Sequence, residues 1–317
     1  MIVCCGEALI DMVPDGEREG AFLARPGGCP YTTSIAAARL GSRVRFLGRI
    51  GRDFLGEALA DRLASNGVDT SLAARSDQGA TLAFVKRSSS GDARYAFYSE
   101  GAADRSFDYA DLPPSLGPEA RFLVVGSISM IQEPGASTIE RLVERERDRV
   151  LVALDPNVRP SLIPDRAAYL ERFRRWVSSA SIVKASSEDL EWLFPGLGPE
   201  ERGRKLLAGG GFGSAELVVE TRGAEGAVAR TARLEVRAPA FSVEVADTIG
   251  AGDTFHAALL HRFDEAGLSS RAALRELGEA ALRDALGFAQ AAAALDCTRV
   301  GAEPPRAEEV EAFLATR

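Results

Sequence analysis

Asp247-Thr248-Ile249-Gly250-Ala251-Gly252-Asp253-Thr254, in the C-terminal third, is the stretch around which the rest of the chain arranges itself. Upstream, Phe241, Val243 and Val245 alternate with polar or smaller residues, the period-two signature of a strand. Downstream, Phe255, Leu259 and Phe263 recur every four residues, the stripe of a buried helix. The stretch therefore reads as strand, glycine turn, helix. Gly250 and Gly252 carry no Cβ to hold a ligand off the backbone. The amides of Gly250, Ala251, Gly252 and Asp253 are left at a helix N-terminus, where the helix dipole also favours an anion. A carboxylate at Asp253 can accept a proton from a hydroxyl while those amides hold negative charge on a transferring group. On local chemistry alone, an ordinary acid in a first helical turn is an equally good reading.

The 317 residues are many for one core and few for two large domains, and 46% hydrophobic with 26% charged residues marks an ordinary globular protein. A net charge of −8 argues against nucleic acid or an acidic membrane as the main partner. It leaves a nucleotide open, because phosphates are held by local amides and a few cations. Lysine occurs only at Lys86, Lys184 and Lys205. The four cysteines, Cys4, Cys5, Cys29 and Cys297, have no C-x-x-C spacing, so neither a disulfide framework nor a zinc site is expected. The opening Met-Ile-Val-Cys-Cys-Gly has no basic region or long apolar run, and a cytoplasmic protein is expected. There is no G-x-x-x-x-G-K-[ST], and no strand-G-x-G-x-x-G-helix near the N-terminus. His256 and His261 have no third ligand in view and read as one surface and one core histidine.

Apolar runs at Ile2–Cys5, Val44–Gly51, Phe122–Gly126, Val150–Leu154, Ser181–Ala185 and Leu217–Glu220 alternate with helical stretches, the pattern of a parallel sheet covered on both faces. One helix is expected over Thr33–Leu40 after a Pro26–Pro30 turn, and another from Asp53 to Ala64. Thr81–Lys86 and Arg94–Tyr98 read as a hairpin with its turn at Ser88–Asp92, standing off the main sheet with residues 12–26. Gly209–Gly213 follows a helix and reads as a connector rather than a nucleotide loop. Asp155-Pro156-Asn157-Val158-Arg159-Pro160 begins where a strand ends, at the sheet edge where open α/β folds bind ligands.

The run D-T-x-G-A-G-D-x-F resembles the signature of the ribokinase and fructokinase (PfkB) family of sugar kinases, and D-P-N-x-R-P looks most like fructokinases. The resemblance extends along the whole chain. It implies a single ribokinase-like catalytic domain over residues 1–317: a three-layer α/β/α sandwich around a mostly parallel sheet, with a small β lid formed by about 12–26 and 80–99. It implies ATP-dependent phosphorylation of a primary hydroxyl of a small sugar, fructose first, then 2-keto-3-deoxygluconate, ribose or a nucleoside. A catalytically silent sugar or nucleotide sensor is the reading from another class.

By the same resemblance Asp253 is the base and Gly250, Ala251 and Gly252 the anion cradle. Asp11, Gly27, Gly28 and Thr32 hold the sugar, joined by Asn157 and Arg159. Thr32 stands where the family has asparagine, one hydroxyl in place of an amide. Lys184, Ser186, Thr221, Gly223, Gly226 and Gln290 are assigned to ATP. Asp189, or its neighbour Glu188, meets Mg²⁺ through water in the place of the family's Asn-x-x-Glu pair. A monovalent cation, potassium, is expected beside Asp247, with carbonyls around Ile249 and Cys297–Gly301. A homodimer through the lid is the expected assembly.

Overall fold

The computed structural model describes residues 1–16, 18–87 and 93–317; the expected Ser88–Asp92 turn lies outside the described residues. In chain order the strands are β1 (Ile2–Cys5), β2 (Leu9–Pro14), β3 (Phe22–Gly27), β4 (Val44–Leu47), β5 (Arg49–Gly51), β6 (Ala74–Ser76), β7 (Thr81–Arg87), β8 (Ala93–Tyr98), β9 (Phe122–Gly126), β10 (Leu151–Asp155), β11 (Ile182–Ser186), β12 (Leu217–Thr221), β13 (Ala227–Arg230) and β14 (Glu235–Ala238). The helices are α1 (Cys29–Arg39), α2 (Phe54–Ser65), α3 (Gly135–Glu146), α4 (Arg166–Ser179), α5 (Ser187–Leu193), α6 (Pro199–Leu206), α7 (Ala251–Glu265), α8 (Arg271–Arg275), α9 (Glu279–Cys297) and α10 (Ala307–Ala315).

Eight strands form one sheet in the order β14-β13-β12-β11-β10-β9-β1-β4, parallel except for the two pairings made by β13. Strand alternation divides its side chains between two cores. Ile2, Cys4, Val124, Ala153 and Val219 pack with α1, α7 and α9. Val3, Cys5, Val125, Val152 and Val218 pack with α3, α4 and α5. The result is helix, sheet, helix. β1 pairs with β4 on one side and β9 on the other, so the chain winds outward in both directions from it. Such a switch point leaves a crevice at the carboxyl ends of the strands.

A second sheet, β3-β2-β7-β8, stands off the first. It begins at Leu9, slightly before the expected residue 12, and is anchored through Leu9, Ala83 and Ile128 with Tyr95 and Phe97 against them. Gly209–Gly213 is a turn after α6, as expected. No helix of the described residues is long and apolar enough to cross a membrane.

Several expectations need correction. The strand expected at Phe241–Val245 is an extended segment with no strand partner. Its alternation is real but serves a cavity wall: Phe241 and Val243 turn inward while Ser242 and Glu244 are exposed. The expected Val44–Gly51 strand divides at Gly48, and β5 leaves the main sheet to pair with β6. Helix α1 starts at Cys29, four residues early, because Gly28 at φ 110° caps it and Pro30 lies in the first turn, where no amide hydrogen is missed. Both His256 and His261 are buried, so neither is a surface residue.

Candidate active site

The crevice beside β1 holds a cavity of about 230 Å³, and the N-termini of α1 and α7 both open onto it. Asp11 on β2, Gly28 and Thr32 at the start of α1, and Asn157 and Arg159 after β10 line it. Lys184 on β11 and Ile249, Gly250, Gly252 and Asp253 at the start of α7 line it too. Gly27 stands behind Asp11, where a Cβ would lie 2.1 Å from Asp11 Oδ2, so no larger residue fits while that carboxylate keeps its place.

A second cavity of about 570 Å³ lies on the other side of the α7 start. Thr221, Gly223 and Gly226 form its floor after β12, and Gln290 of α9 reaches it beside Phe255. Phe241, Val243 and Val245 give it an apolar wall. Ala251 faces this second cavity, whereas Thr248 and Gly252 border both. One helical turn is therefore the partition between a polar chamber and an apolar one.

Gly250 makes that turn possible. It caps α7 at φ 87°, and a Cβ there would meet the Ala302 Cβ at 2.6 Å. The left-handed conformation alone costs an L-residue about 1–2 kcal/mol. Gly250→Ala is expected to lower the melting temperature and to displace the amides after it; thermal denaturation with ATP titration checks both.

The charges concentrate around Asp253. Burial raises its carboxyl pKa to about 8, with the charge of Asp155 adding to the rise and Cys29, Lys184 and Arg159 opposing it. Asp11 is raised to about 7 by burial, against Arg159. Asp155, at the end of β10, is 1% exposed and accepts a hydrogen bond from Lys184 Nζ at 2.9 Å. Burial alone would lower the Lys184 pKa; the charge of Asp155 outweighs it and holds the ammonium above the ordinary lysine range. The Arg159 guanidinium lies 5.3 Å from the Tyr95 ring centroid, tying the small sheet to the main one.

Several residues named from the sequence fall elsewhere. Ser186 and Asp189 line neither cavity. Ser186 caps α5, and Asp189 answers it in a capping box. The Asp189 oxygens accept from the amides of Ser186 at 3.0 Å and Val158 at 2.7 Å, so this acid clamps the loop after β10. The alternative, Glu188, is exposed. Asp247 is buried below the partition, where its carboxylate accepts from the amides of Thr248, Ile249 and Gly301.

Glu7 was not legible as a site residue. It is 3% exposed, accepts from the Cys29 amide at 3.1 Å, and accepts from the Ser129 hydroxyl on its other oxygen. An acid satisfying a free amide of α1 from a distant strand end has no sequence signal. Tyr95 and Phe97 were seen only as strand residues, yet both line the polar chamber. Cys29 also lines it, 3.9 Å from Asp155 Oδ2.

A polar chamber with a buried acid, joined across helix-terminal amides to an apolar one, suits transfer of a charged group between a small polar acceptor and a larger donor. The pfkB family carbohydrate kinase model matches residues 1–309, and the chain belongs to that family. It is 41% identical over 286 residues to a fructokinase of Rhizobium leguminosarum bv. trifolii, covering 90% of this chain and 86% of that one. Among solved structures it superposes on a fructokinase with bound ATP from Xylella fastidiosa with a TM-score of 0.89 at 31% identity, over 99% and 98% of the two chains. A Vibrio cholerae O395 fructokinase in a fructose-, ADP- and calcium-bound form gives 0.84 at 27% identity, again over 99% and 98%.

Proposed function

We propose that this protein is an ATP-dependent fructokinase that phosphorylates a primary hydroxyl of fructose. The observation that carries the reading is the shared partition: Gly252 borders both chambers and Asp253 stands on the polar side of it. The fructokinase relatives, and the fructose-bound form of one of them, favour fructose over other sugars.

In this reading Asp11, Asn157 and Thr32 bind sugar hydroxyls, the Gly27-Gly28 backbone lies against the ring, and Asp253 takes the proton of the attacking hydroxyl. Thr221, Gly223, Gly226 and Gln290 hold the nucleotide, whose base rests on the apolar wall. The Gly250 and Gly252 amides and the Lys184 and Arg159 cations stabilise charge on the phosphoryl in flight, joined by the Ala251 amide once it leaves the Thr248 carbonyl it meets at 3.3 Å, since positioning and electrostatics dominate this chemistry. Mg²⁺ enters with ATP as part of that substrate. Asp189, which lines neither chamber, is given no step. Potassium fits beside Asp247, where the carboxylate and the carbonyls near Ile249 and Cys297–Gly301 offer hard oxygen donors; its charge would steady the turn that bears the cradle.

The small sheet is the lid. Tyr95 and Phe97 reach the sugar chamber from it, and closing it keeps water from competing for the phosphoryl. Its Phe22, Phe84 and Tyr98 rings pack edge to face, with Phe22 42% and Tyr98 66% exposed. That aromatic patch supports a homodimer through the lid.

ADP release measured across fructose, 2-keto-3-deoxygluconate, ribose and a nucleoside tests the assignment. Fructose is expected to give the highest kcat/KM. A better acceptor among the others overturns the choice of sugar, and ATP binding without turnover on any of them makes the protein a sensor.

A further inference from the structure

Beside the sugar chamber, Cys29 and Asp253 meet Asp155 in a second arrangement that shares Asp253 with phosphoryl transfer. Cys29, Asp155 and Asp253 each present a ligand-type atom, and the three atoms lie within 4.8 Å of one another. The Cys29 Sγ to Asp155 Oδ2 distance is 3.9 Å. In a tetrahedral zinc site with Zn–S near 2.3 Å and Zn–O near 2.1 Å, neighbouring ligand atoms stand roughly 3.5 Å apart. The three need draw together by only about an ångström. Asp155 supplies an independent sign: it is 1% exposed, Lys184 engages its Oδ2, and its Oδ1 has no hydrogen-bond partner among the described residues. A buried carboxylate oxygen left open is costly unless something meets it.

We infer that Cys29, Asp155 and Asp253 form an inhibitory site for a thiophilic divalent cation, Zn²⁺ or Cd²⁺. Ligation breaks the Cys29 S–H bond and, at neutral pH, the Asp253 O–H bond, forms sulfur–metal and oxygen–metal bonds, and releases both protons to solvent. The thiolate and two carboxylates carry three negative charges, of which Lys184 offsets one at contact and Arg159 part of another from further away, and a dication takes up the remainder. The thiolate discriminates against Mg²⁺, which takes oxygen ligands and keeps its waters. A fourth position faces the chamber, open to water. With Asp253 held by the metal, no group is left to accept the sugar hydroxyl proton. Metal binding stands on geometry alone, whereas the inhibition rests on the kinase reading.

The two are tested separately. Cd²⁺ is titrated into the full chain without nucleotide, and the ultraviolet thiolate-to-cadmium charge-transfer band is followed. One equivalent is expected to raise the band, with millimolar Mg²⁺ unable to abolish it. Cys29→Ser is expected to remove the band and Asp253→Asn to weaken affinity by more than about ten-fold, since even residues outside a ligand set alter metal affinity 10–100-fold. Cys297→Ser is the control and keeps the band. Thermal melts show whether each variant is folded, and Asp253→Asn reads the site even if Cys29→Ser is not. A band that survives in folded Cys29→Ser, or the absence of any band in the parent, overturns the site. A normal band without loss of sugar phosphorylation overturns the inhibition and leaves the site standing.

Discussion

The Asp253→Asn variant is expected to lose about 10²–10⁴-fold in kcat, the usual contribution of a positioned general base, while binding ATP as tightly as the parent. The amide has nearly the volume of the acid, and the Gly250–Gly252 backbone that forms the cradle is left in place. What disappears is the proton acceptor. The carboxyl pKa near 8, set first by burial and then by Asp155, gives the parent a pH signature. Only the ionised acid accepts the proton, so kcat/KM rises with pH and levels above about 8. Stability runs the opposite way. The folded pKa lies above the unfolded carboxylate value, so this contribution is complete below the unfolded pKa and is lost as pH rises through about 8. The variant therefore melts with a shallower pH dependence over that window. Stopped assays for kcat, nucleotide titration and melts across pH measure all three; a kcat within about three-fold of the parent would remove Asp253 from proton transfer.

The layers of this fold were legible because they follow from periodicity. Buried parallel strands such as Leu217–Thr221 and Phe122–Gly126 are continuous apolar runs, and helix α7 carries its stripe at Phe255, Leu259 and Phe263. Chain geometry was legible in the same way at Gly250, where a residue type betrays a backbone conformation. What alternation cannot say is what it faces. Phe241 and Val243 alternate as a strand would, yet they border a cavity with no neighbouring strand. Ser186 and Asp189 show the complementary ambiguity. Their spacing fits a family's metal pair and a helix cap equally well, and local hydrogen bonding makes them a cap. Glu7 and Cys29 were invisible as site residues because their partners, Ser129 and Asp155, lie 122 and 126 positions away. Contacts of that range are set by strand order, which no local pattern records.

Strand order also creates the second large effect. Parallel pairing of β10 with β11 brings Lys184 against Asp155 in a site where the two side chains are 6% and 1% exposed. Lys184→Met is expected to destabilise the protein by about 3–5 kcal/mol, because removing one partner strands a buried charge. That corresponds to a fall in Tm of roughly 5–10 °C for a chain of this size. The Lys184 pKa is raised above its unfolded value, so its contribution is fully present below the unfolded lysine pKa and is lost only as pH rises through the higher folded one. A melt at neutral pH reads all of it. Adding Asp155→Asn removes the stranded charge, and the double variant is expected to recover most of the lost stability. Activity should not recover with it. A Cβ placed on Gly252 would lie 2.9 Å from Lys184 Nζ, so the ammonium stands directly under the Gly250–Gly252 turn. A double variant that melts like the parent yet turns over slowly separates the two duties of Lys184. If the single variant melts like the parent, the ion pair does not hold this strand end together, and the acid at Asp155 must find its balance elsewhere.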